Sequence, residues 1–355
     1  IVGTLDEFKN EKIDFEKEYL KYEKFIKDLV SLEIKNDNII SNKFNKTLYW
    51  FTLNALVHYS SPHGLEQTGG AAWGTRDVMQ GPFELFLAYK RYDIAREILL
   101  KVYSRQFIEN YDWPQWFMFD KYYFIQAHDS HGDIIVWPLK ALADYLLITN
   151  DYGILNEETT YFSKEKNTFT KPDTILNHVK NQINAIIDSC VKGTSLPKYG
   201  GGDWNDTLQP KNKELTETMV STWTISLIYQ AFNNFNKSIN KIDPSLSNVI
   251  SKFLADLKND YQKYVMIDNK PAGFIIFNDG KPSPLLHPSD KKTGISYRLL
   301  SYQRPIIAEL ITLKQAKLNY EMMLKHLRFP DGMRLMDTPV TYKGGLKTLF
   351  QRAET

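Results

Sequence analysis

The sequence predicts an all-α protein built as an (α/α)6 toroid, in which paired helices surround a central core. Stretches with helical periodicity recur along most of the chain, and long loops rich in Gly, Trp, Asp and His separate them. Strand-like alternation is rare. Because the helical stretches are too few to close six pairs, we expect an incomplete toroid that is one part of a longer protein.

The first helical element lies near the start of the chain. Residues 13–32 place charges between apolar positions such as Tyr19, Tyr22 and Phe25, a pattern typical of an amphipathic helix. We predict a helical linker over residues 1–45, followed by most of the barrel over residues 46–355.

The remaining helical stretches follow the same periodicity. A polar, Lys- and Thr-rich segment at 156–171 interrupts them and is predicted to be a surface excursion. The predicted barrel helices cover residues 46–58, 77–90, 92–109, 137–149, 172–189, 214–234, 245–265, 301–312 and 314–327.

Three connections between these helices are much longer than is usual in a compact domain. They cover residues 59–76, 110–136 and 191–213 and are rich in aromatic residues and glycine. Binding and catalytic residues tend to lie on loops that a rigid frame positions. The sequence therefore predicts a site built from these three loops.

Composition excludes several classes of protein. The formal net charge is only +2, without a basic stripe of the kind that binds nucleic acid. Cys190 is the sole cysteine, which excludes a disulfide framework and favours a reducing, cytoplasmic compartment. No apolar run approaches the ~18 residues of a membrane span, and the first residues do not resemble a signal peptide.

The segment 199–210 carries the first candidate site. Asp203 and Asp206 flank Trp204 directly after three glycines, which allow sharp turns and a close approach to a ligand. An indole can stack on a sugar ring, and a carboxyl in a partly dry cleft has a raised pKa and can donate a proton. The alternative is that either aspartate caps a helix or closes an Asx-turn.

The segment 70–82 carries the second candidate. It places Arg76, Asp77 and Gln80 at the mouth of a helix, where Asp77 and Gln80, three residues apart, share a face. Arginine and aspartate side chains commonly hold sugar hydroxyls through paired hydrogen bonds. The alternative is a surface ion pair with a helix cap.

The segment 112–138 carries the third candidate, with Trp116, His128, Asp129, His131 and Asp133. Histidines and carboxylates at short spacing can bind metal, but no third histidine stands at a helical interval. The surrounding aromatic residues favour a sugar platform instead. We therefore expect sugar contact or support of the site, and no metal.

Two polar turns near the end, residues 286–294 and 329–337, could approach an anion or cap helices, and capping is favoured. The chain has neither a Walker-type loop nor a dinucleotide glycine fingerprint after a strand. No nucleotide cofactor is therefore expected.

Together these segments resemble the cellobiose and chitobiose phosphorylase family, glycoside hydrolase family 94, whose active sites contain the string Gly-Asp-Trp-Asn-Asp, found here at 202–206. The resemblance extends from about residue 46 to the end. Five loops are most similar to those of the 1,2-β-oligoglucan phosphorylases. These loops are residues 61–67, 71–77, 113–120, 129–138 and 287–290.

The resemblance implies a protein of four parts: an N-terminal β-sandwich, a helical linker, an (α/α)6 barrel and a small C-terminal sheet domain. It implies that Asp206 is the general acid, with Trp204 beside it, and that Arg76 and Asp77 bind the sugar where cleavage occurs. Asp203 would support these residues. Because relatives are often dimers, a homodimer is also expected.

The implied reaction is inverting phosphorolysis of a β-linked glucan to α-glucose 1-phosphate, with β-1,2 linkages preferred to β-1,3 or β-1,4 linkages. Inorganic phosphate is the co-substrate, and no cofactor is expected. Phosphate is already an anionic nucleophile, so one acid suffices and no base is needed. The histidine and small-residue loop that bind phosphate in the family have no counterpart before residue 355, so we expect them outside this chain.

Three alternatives remain open. One is a phosphorylase of the cellobiose or cellodextrin type. An inverting hydrolase on a similar toroid would need a second carboxylate, for which Glu66, Asp129 and Asp133 are candidates. A non-catalytic carbohydrate-binding helical domain would need no acid at all.

Overall fold

The computed structural model describes residues 13–29, 32–60, 72–278, 280–339 and 349–351, and every structural statement below concerns these residues. Helices dominate, and the strands are short. No helix in this part of the chain combines the length and the apolar character needed to cross a membrane.

The helices lie close to the predicted positions, because the periodicity of their apolar faces is strong. We number them α1 to α11 in chain order. Their bounds are Phe15–Leu29, Ile39–Ser60, Thr75–Ala88, Tyr92–Tyr103, Trp137–Thr149, Ile175–Asp188, Lys213–Thr218, Thr222–Ile239, Pro244–Asp260, Leu299–Ile307 and Leu313–His326.

Four helices form the frame of the domain. Helices α3, α5, α8 and α10 pack against one another in that order, and we call them the inner helices. Helix α4 packs against α3 and α5, α9 against α8, and α11 against α10, while α2 lies against α3. Alternation of inner and flanking helices along the chain is the arrangement that the sequence predicts.

The predicted boundary between linker and barrel at residue 45 falls inside α2, which begins at Ile39. Helix α1 packs against α2, and Ile26 of α1 is buried in the main core. The division into linker and barrel stays a prediction.

The strands form small antiparallel sheets that the sequence analysis missed. We number them β1 to β11, and the sheets pair β1 with β2, β3 with β4, β5 with β8, β8 with β9, β6 with β7, and β10 with β11. Their bounds are Trp73–Gly74, Trp116–Phe117, Glu158–Ser163, Thr168–Thr174, Met219–Ser221, Met266–Ile267, Lys270–Pro271, Phe274–Asn278, Lys281–Leu285, Arg328–Phe329 and Gly332–Met333.

Two sequence predictions are wrong here. Residues 156–171 are not a plain surface excursion, because most of this segment forms the β3–β4 hairpin, which buries Tyr161 and Phe162. The predicted helix 214–234 is divided into α7, β5 and α8. The dividing residues Met219–Ser221 are all buried and pair with β8, a tertiary contact that overrides the local helical pattern.

The described residues form three hydrophobic cores, one large and two smaller. The main core fills the space between the helices. A second, smaller core lies where segment 199–210 meets the β5–β8–β9 sheet, and we call it the loop core. Its fully buried members include Tyr199, Leu208, Met219, Phe274 and Leu285.

Candidate active site

The starts of all four inner helices converge on one segment, residues 199–210. Arg76 lies in the first turn of α3, and Asp133 precedes a short 3-10 turn, Ile134–Val136, that leads into α5. Ser221 and Arg298 are the residues directly before α8 and α10. The contacts below join each of these four residues to an aspartate of the segment, or to a partner of one.

Segment 199–210 is held by backbone bonds and glycine geometry. The amide of Gly132 donates to the carbonyl of Gly202 at 2.9 Å, and the Tyr199 hydroxyl donates to the carbonyl of Leu208 at 2.8 Å. Gly200 and Gly202 have φ values of 61° and 148°, which residues with a side chain rarely adopt. The predicted sharp turn therefore exists, and the glycines make it possible.

Asp206 stands at the edge of this segment with 49% of its side chain exposed. Its Oδ1 atom accepts a hydrogen bond from Nη2 of Arg76 at 3.1 Å and lies 3.2 Å from Nδ1 of His131. Within the described part of the chain, no hydrogen bond reaches Oδ2. The second carboxyl oxygen is therefore free to carry a proton.

The pKa of Asp206 differs from the sequence prediction. Burial acts to raise it, but the His131 ring and the Arg76 guanidinium outweigh burial and hold the pKa of Asp206 below its ordinary value. The prediction of a raised pKa is therefore wrong, because Arg76 and His131 both face one oxygen of the carboxylate.

His131 is oriented by two glutamines. Oε1 of Gln115 accepts a hydrogen bond from the His131 backbone amide at 3.0 Å, and Nε2 of Gln209 lies 2.9 Å from Nε2 of the ring. If the Gln209 amide donates, the proton of a neutral His131 ring is on Nδ1, which faces Asp206. The ring therefore contacts the candidate acid.

Asp133 is fully buried, so of the two roles expected for its segment, sugar contact and support of the site, its position favours support. Nη1 of Arg76 lies 3.3 Å from its Oδ2, and the indole Nε1 of Trp137 donates to the same oxygen at 3.0 Å. Burial raises the pKa of Asp133 to about 6, against the opposing effect of Arg76. Asp133 therefore supports Arg76 from below the surface.

Asp203 is also fully buried and holds the segment from inside. It accepts hydrogen bonds from the Ser221 hydroxyl at 2.6 Å and from Nη2 of Arg298 at 3.3 Å. It also accepts the backbone amide of Asn205 at 3.0 Å, so the predicted Asx-turn is present as well. This placement agrees with the supporting role expected of Asp203.

Three residues that contact the site were not predicted from the sequence: Arg298, Ser221 and Gln209. Arg298 is fully buried, and its guanidinium lies over the ring of Phe274 at 4.5 Å. No local motif identifies these residues, because each lies far along the chain from at least one of its partners. Only the extreme burial of a long cation beside an aspartate distinguishes Arg298, and burial is visible only in the fold.

The predicted residues line two separate cavities. A cavity of about 600 Å³ contains Trp116, Asp129, His131 and Asp206. A second cavity of about 460 Å³ lies between α2 and α3. Its walls include Asp77, Gln80 and Trp204 together with Phe51 and Asn54.

The second cavity confirms that Asp77 and Gln80 share a face of α3. The position of Arg76 contradicts the alternative of a surface ion pair, because Arg76 is buried and contacts Asp133 and Asp206. Nor does Asp77 cap the helix, since Gly74 occupies the N-cap position.

The remaining predicted features lie elsewhere. The carbonyl of His128 accepts a hydrogen bond from Lys164 at 2.9 Å, and no three His, Cys, Asp or Glu side chains of the described residues gather as a metal site. Asp290 closes its own turn by accepting the Leu286 amide at 2.9 Å, so this aspartate does not cap a helix. Glu66 and the loop 61–67 lie outside the described residues.

Solved structures with a similar fold act on sugars. The chain superposes on a rhamnosidase from Klebsiella oxytoca with rhamnose bound, with a TM-score of 0.50 and 12% identity, covering 78% of this chain and 47% of that one. It superposes on a wild-type glycosidase with a TM-score of 0.53 and 10% identity, covering 86% and 76%. These similarities concern the fold alone. The chain is a helical domain of the (α/α)-barrel class, which confirms the predicted fold.

The family model described as the glycosyl hydrolase 94 superfamily, catalytic domain, matches residues 35–342. The chain belongs to this family, as residues 202–206 predicted. It is 45% identical over 324 residues to a 1,2-beta-oligoglucan phosphorylase from Listeria innocua serovar 6a. The match covers 90% of this chain and 29% of that relative, so the chain spans less than a third of the relative's length.

Proposed function

We propose that this domain catalyses inverting phosphorolysis of β-1,2-linked gluco-oligosaccharides, releasing α-glucose 1-phosphate and a shortened glucan. The observation that carries the proposal is the 45% identity to a 1,2-beta-oligoglucan phosphorylase across 90% of the chain. The proposal includes inorganic phosphate as co-substrate and no cofactor. It also includes a cytoplasmic location, a homodimer, and further parts of the protein that bind phosphate.

Asp206 is the proposed general acid. Its Oδ2 atom would donate a proton to the glycosidic oxygen while phosphate attacks the anomeric carbon from the opposite face. The carbon–oxygen bond to the leaving sugar breaks as the carbon–phosphate oxygen bond forms. The acid then regains its proton from phosphate or solvent.

A bound sugar would raise the pKa of Asp206, which Arg76 and His131 hold below its ordinary value. Half of this side chain is exposed, so a glucosyl ring in the cavity would remove water from it. Desolvation disfavours the ionised carboxylate and raises its pKa. Substrate binding would thus help to create the protonated acid.

The alternative of an inverting hydrolase has one supporting observation. Asp129 is exposed and lines the same cavity as Asp206, so it could activate water as a base. Asp133, the other described candidate, is fully buried and bound to Arg76, which excludes direct activation of water.

One experiment separates these functions. The full-length protein is incubated with β-1,2-gluco-oligosaccharides, with and without inorganic phosphate, and α-glucose 1-phosphate is measured by NMR. We expect product only with phosphate, a loss of about 10²- to 10⁴-fold in kcat for Asp206→Asn with sugar binding retained, and near-normal turnover for Asp129→Asn. Turnover without phosphate that disappears in Asp129→Asn would support the hydrolase and defeat our proposal.

A further inference from the structure

The guanidinium of Arg76 contacts two carboxylates, those of Asp133 and Asp206. Nη1 lies 3.4 Å from Oδ1 and 3.3 Å from Oδ2 of Asp133, while Nη2 donates to Oδ1 of Asp206 at 3.1 Å. One partner is fully buried and the other is half-exposed. The two contacts fix both the position of the guanidinium and the share of its charge that each carboxylate receives.

Asp133 itself has a rigid environment. The Trp137 indole donates to its Oδ2 at 3.0 Å, and the backbone turns directly into residues 134–136 and helix α5. With no exposed surface, its side chain cannot touch a sugar in the cavity. Any effect of Asp133 on the reacting groups must pass through Arg76 or through its charge.

We propose that Asp133 is a positioning residue for the acid: it anchors one arm of Arg76 and balances part of the arginine charge. Arg76 then orients Asp206 through Oδ1 without excessively stabilising the ionised carboxylate. This inference rests on the proposed function, in which Asp206 must be protonated to act.

Two other ionisable groups near Arg76 and Asp133, namely Asp203 and Tyr199, do not add an unbalanced charge. Asp203 is paired with the buried Arg298, and Tyr199 is kept neutral because burial raises the pKa of its phenol well above the ordinary value. Nδ1 of His131 lies 3.2 Å from Oδ1 of Asp206, and the ring adds positive charge when it is protonated. The groups that face Asp133, Arg76 or Asp206 are Asp77, His131, Tyr199, Asp203 and, through Asp203, Arg298.

The sign of the effect follows from this charge distribution. Replacing Asp133 by asparagine removes a negative charge and leaves Asp206 as the one carboxylate among the described residues that bonds directly to Arg76. The ionised form of Asp206 then becomes more stable, and its pKa falls. Because phosphorolysis needs the protonated form, its activity declines at a lower pH than in the wild type.

The test measures kcat and KM of phosphorolysis against pH for the full-length wild type and Asp133→Asn. We expect the alkaline limb of the kcat profile to move down by about one pH unit, equal to about a tenfold loss on that limb, with KM for the glucan within about twofold. The matched control is Asp144→Asn, on helix α5, which follows the Asp133 turn, and its carboxylate pairs with Lys140 at 2.9 Å. Its alkaline limb should not move.

A second variant covers the case in which Asp133→Asn does not fold. Asp133→Glu keeps the charge but displaces the anchored arm of Arg76, so we expect a lower kcat with the alkaline limb at the wild-type position. An unmoved limb in a folded Asp133→Asn, or an unchanged kcat in Asp133→Glu, overturns the inference alone. A wild type that forms no glucose 1-phosphate overturns the proposed function instead.

Discussion

Arg76 and His131 both contact the same oxygen atom of Asp206. Arg76 and His131 approach Oδ1, and this leaves Oδ2 without a hydrogen bond among the described residues. A protonated carboxyl with one oxygen held in this way can carry its proton only on the other, so its direction is fixed before a substrate arrives. Such preorganisation is a requirement for an efficient proton donor.

Trp204 is the residue for which a binding role is easiest to separate from a structural one. It is 44% exposed and lines the cavity with Asp77 and Gln80, so Trp204→Ala should hardly affect folding. We expect KM for the glucan to rise about tenfold through lost stacking, with kcat within about threefold. Trp50→Ala, which removes another exposed indole, is the control. Equal KM values for the two variants would contradict a sugar contact at Trp204.

At the residue scale, the site residues that belong to recognisable strings could be predicted from the sequence. Asp206, Arg76 and His131 come from three separate segments of the chain, and the structure brings them together. Their selection depended on recognisable strings. Arg298 lies in no such string, and the burial of Asp133 could not be read from its polar neighbours.

At the scale of elements, Gly132 joins two loops of the site. Its amide bonds to Gly202, and a Cβ atom placed on it would lie 2.4 Å from the carbonyl oxygen of Tyr199. Gly132→Ala must therefore separate the His131 and Asp133 loop from segment 199–210. The clash is with backbone, which cannot rotate away as a side chain can.

We expect Gly132→Ala to lose about 2 kcal/mol of unfolding free energy and most of its phosphorolysis activity. Thermal unfolding and kcat measurements test both. Gly81→Ala is the stability control, because a Cβ there meets nothing within 4 Å and alanine favours a helix. A Gly132→Ala protein as stable and as active as the wild type would show that the two loops are not coupled.

Most helices were predictable and the shortest strands were not, for a physical reason. Each helix carries its own periodic apolar face, so local sequence specifies it. Strand β5 has three residues and pairs with β8, more than fifty residues later in the chain. A two- or three-residue strand has no period of its own, and its partner becomes known only when the chain has folded.

At the scale of the whole molecule, none of the four inner helices has a side-chain cap, whereas α6, α9 and α11 do. Thr174, Asp243 and Thr312 cap α6, α9 and α11 with their side chains. Ser221 and Arg298, at the corresponding positions of α8 and α10, instead bind Asp203. At α8 and α10, the side chain of the residue before the helix therefore contacts the site and does not cap the helix.

The two larger cores support different parts of the domain. The main core lies between the helices, whereas the loop core includes Tyr199 and Leu208 of the segment that carries Asp206. Leu208, two residues after Asp206, belongs to the loop core, and Leu142 of α5 belongs to the main core; both are fully buried. Matched substitutions at these positions can therefore separate stability from positioning of the acid.

We expect Leu208→Ala and Leu142→Ala each to reduce the free energy of unfolding by about 2 to 5 kcal/mol, because each removes a buried isobutyl group. At a temperature where both variants remain folded, kcat should fall at least tenfold in Leu208→Ala, since displacement of the acid by about 1 Å is costly. Leu142→Ala should keep kcat within about twofold. Urea unfolding followed by phosphorolysis assays tests this, and equal losses of kcat in the two variants would mean that the loop core does not position Asp206.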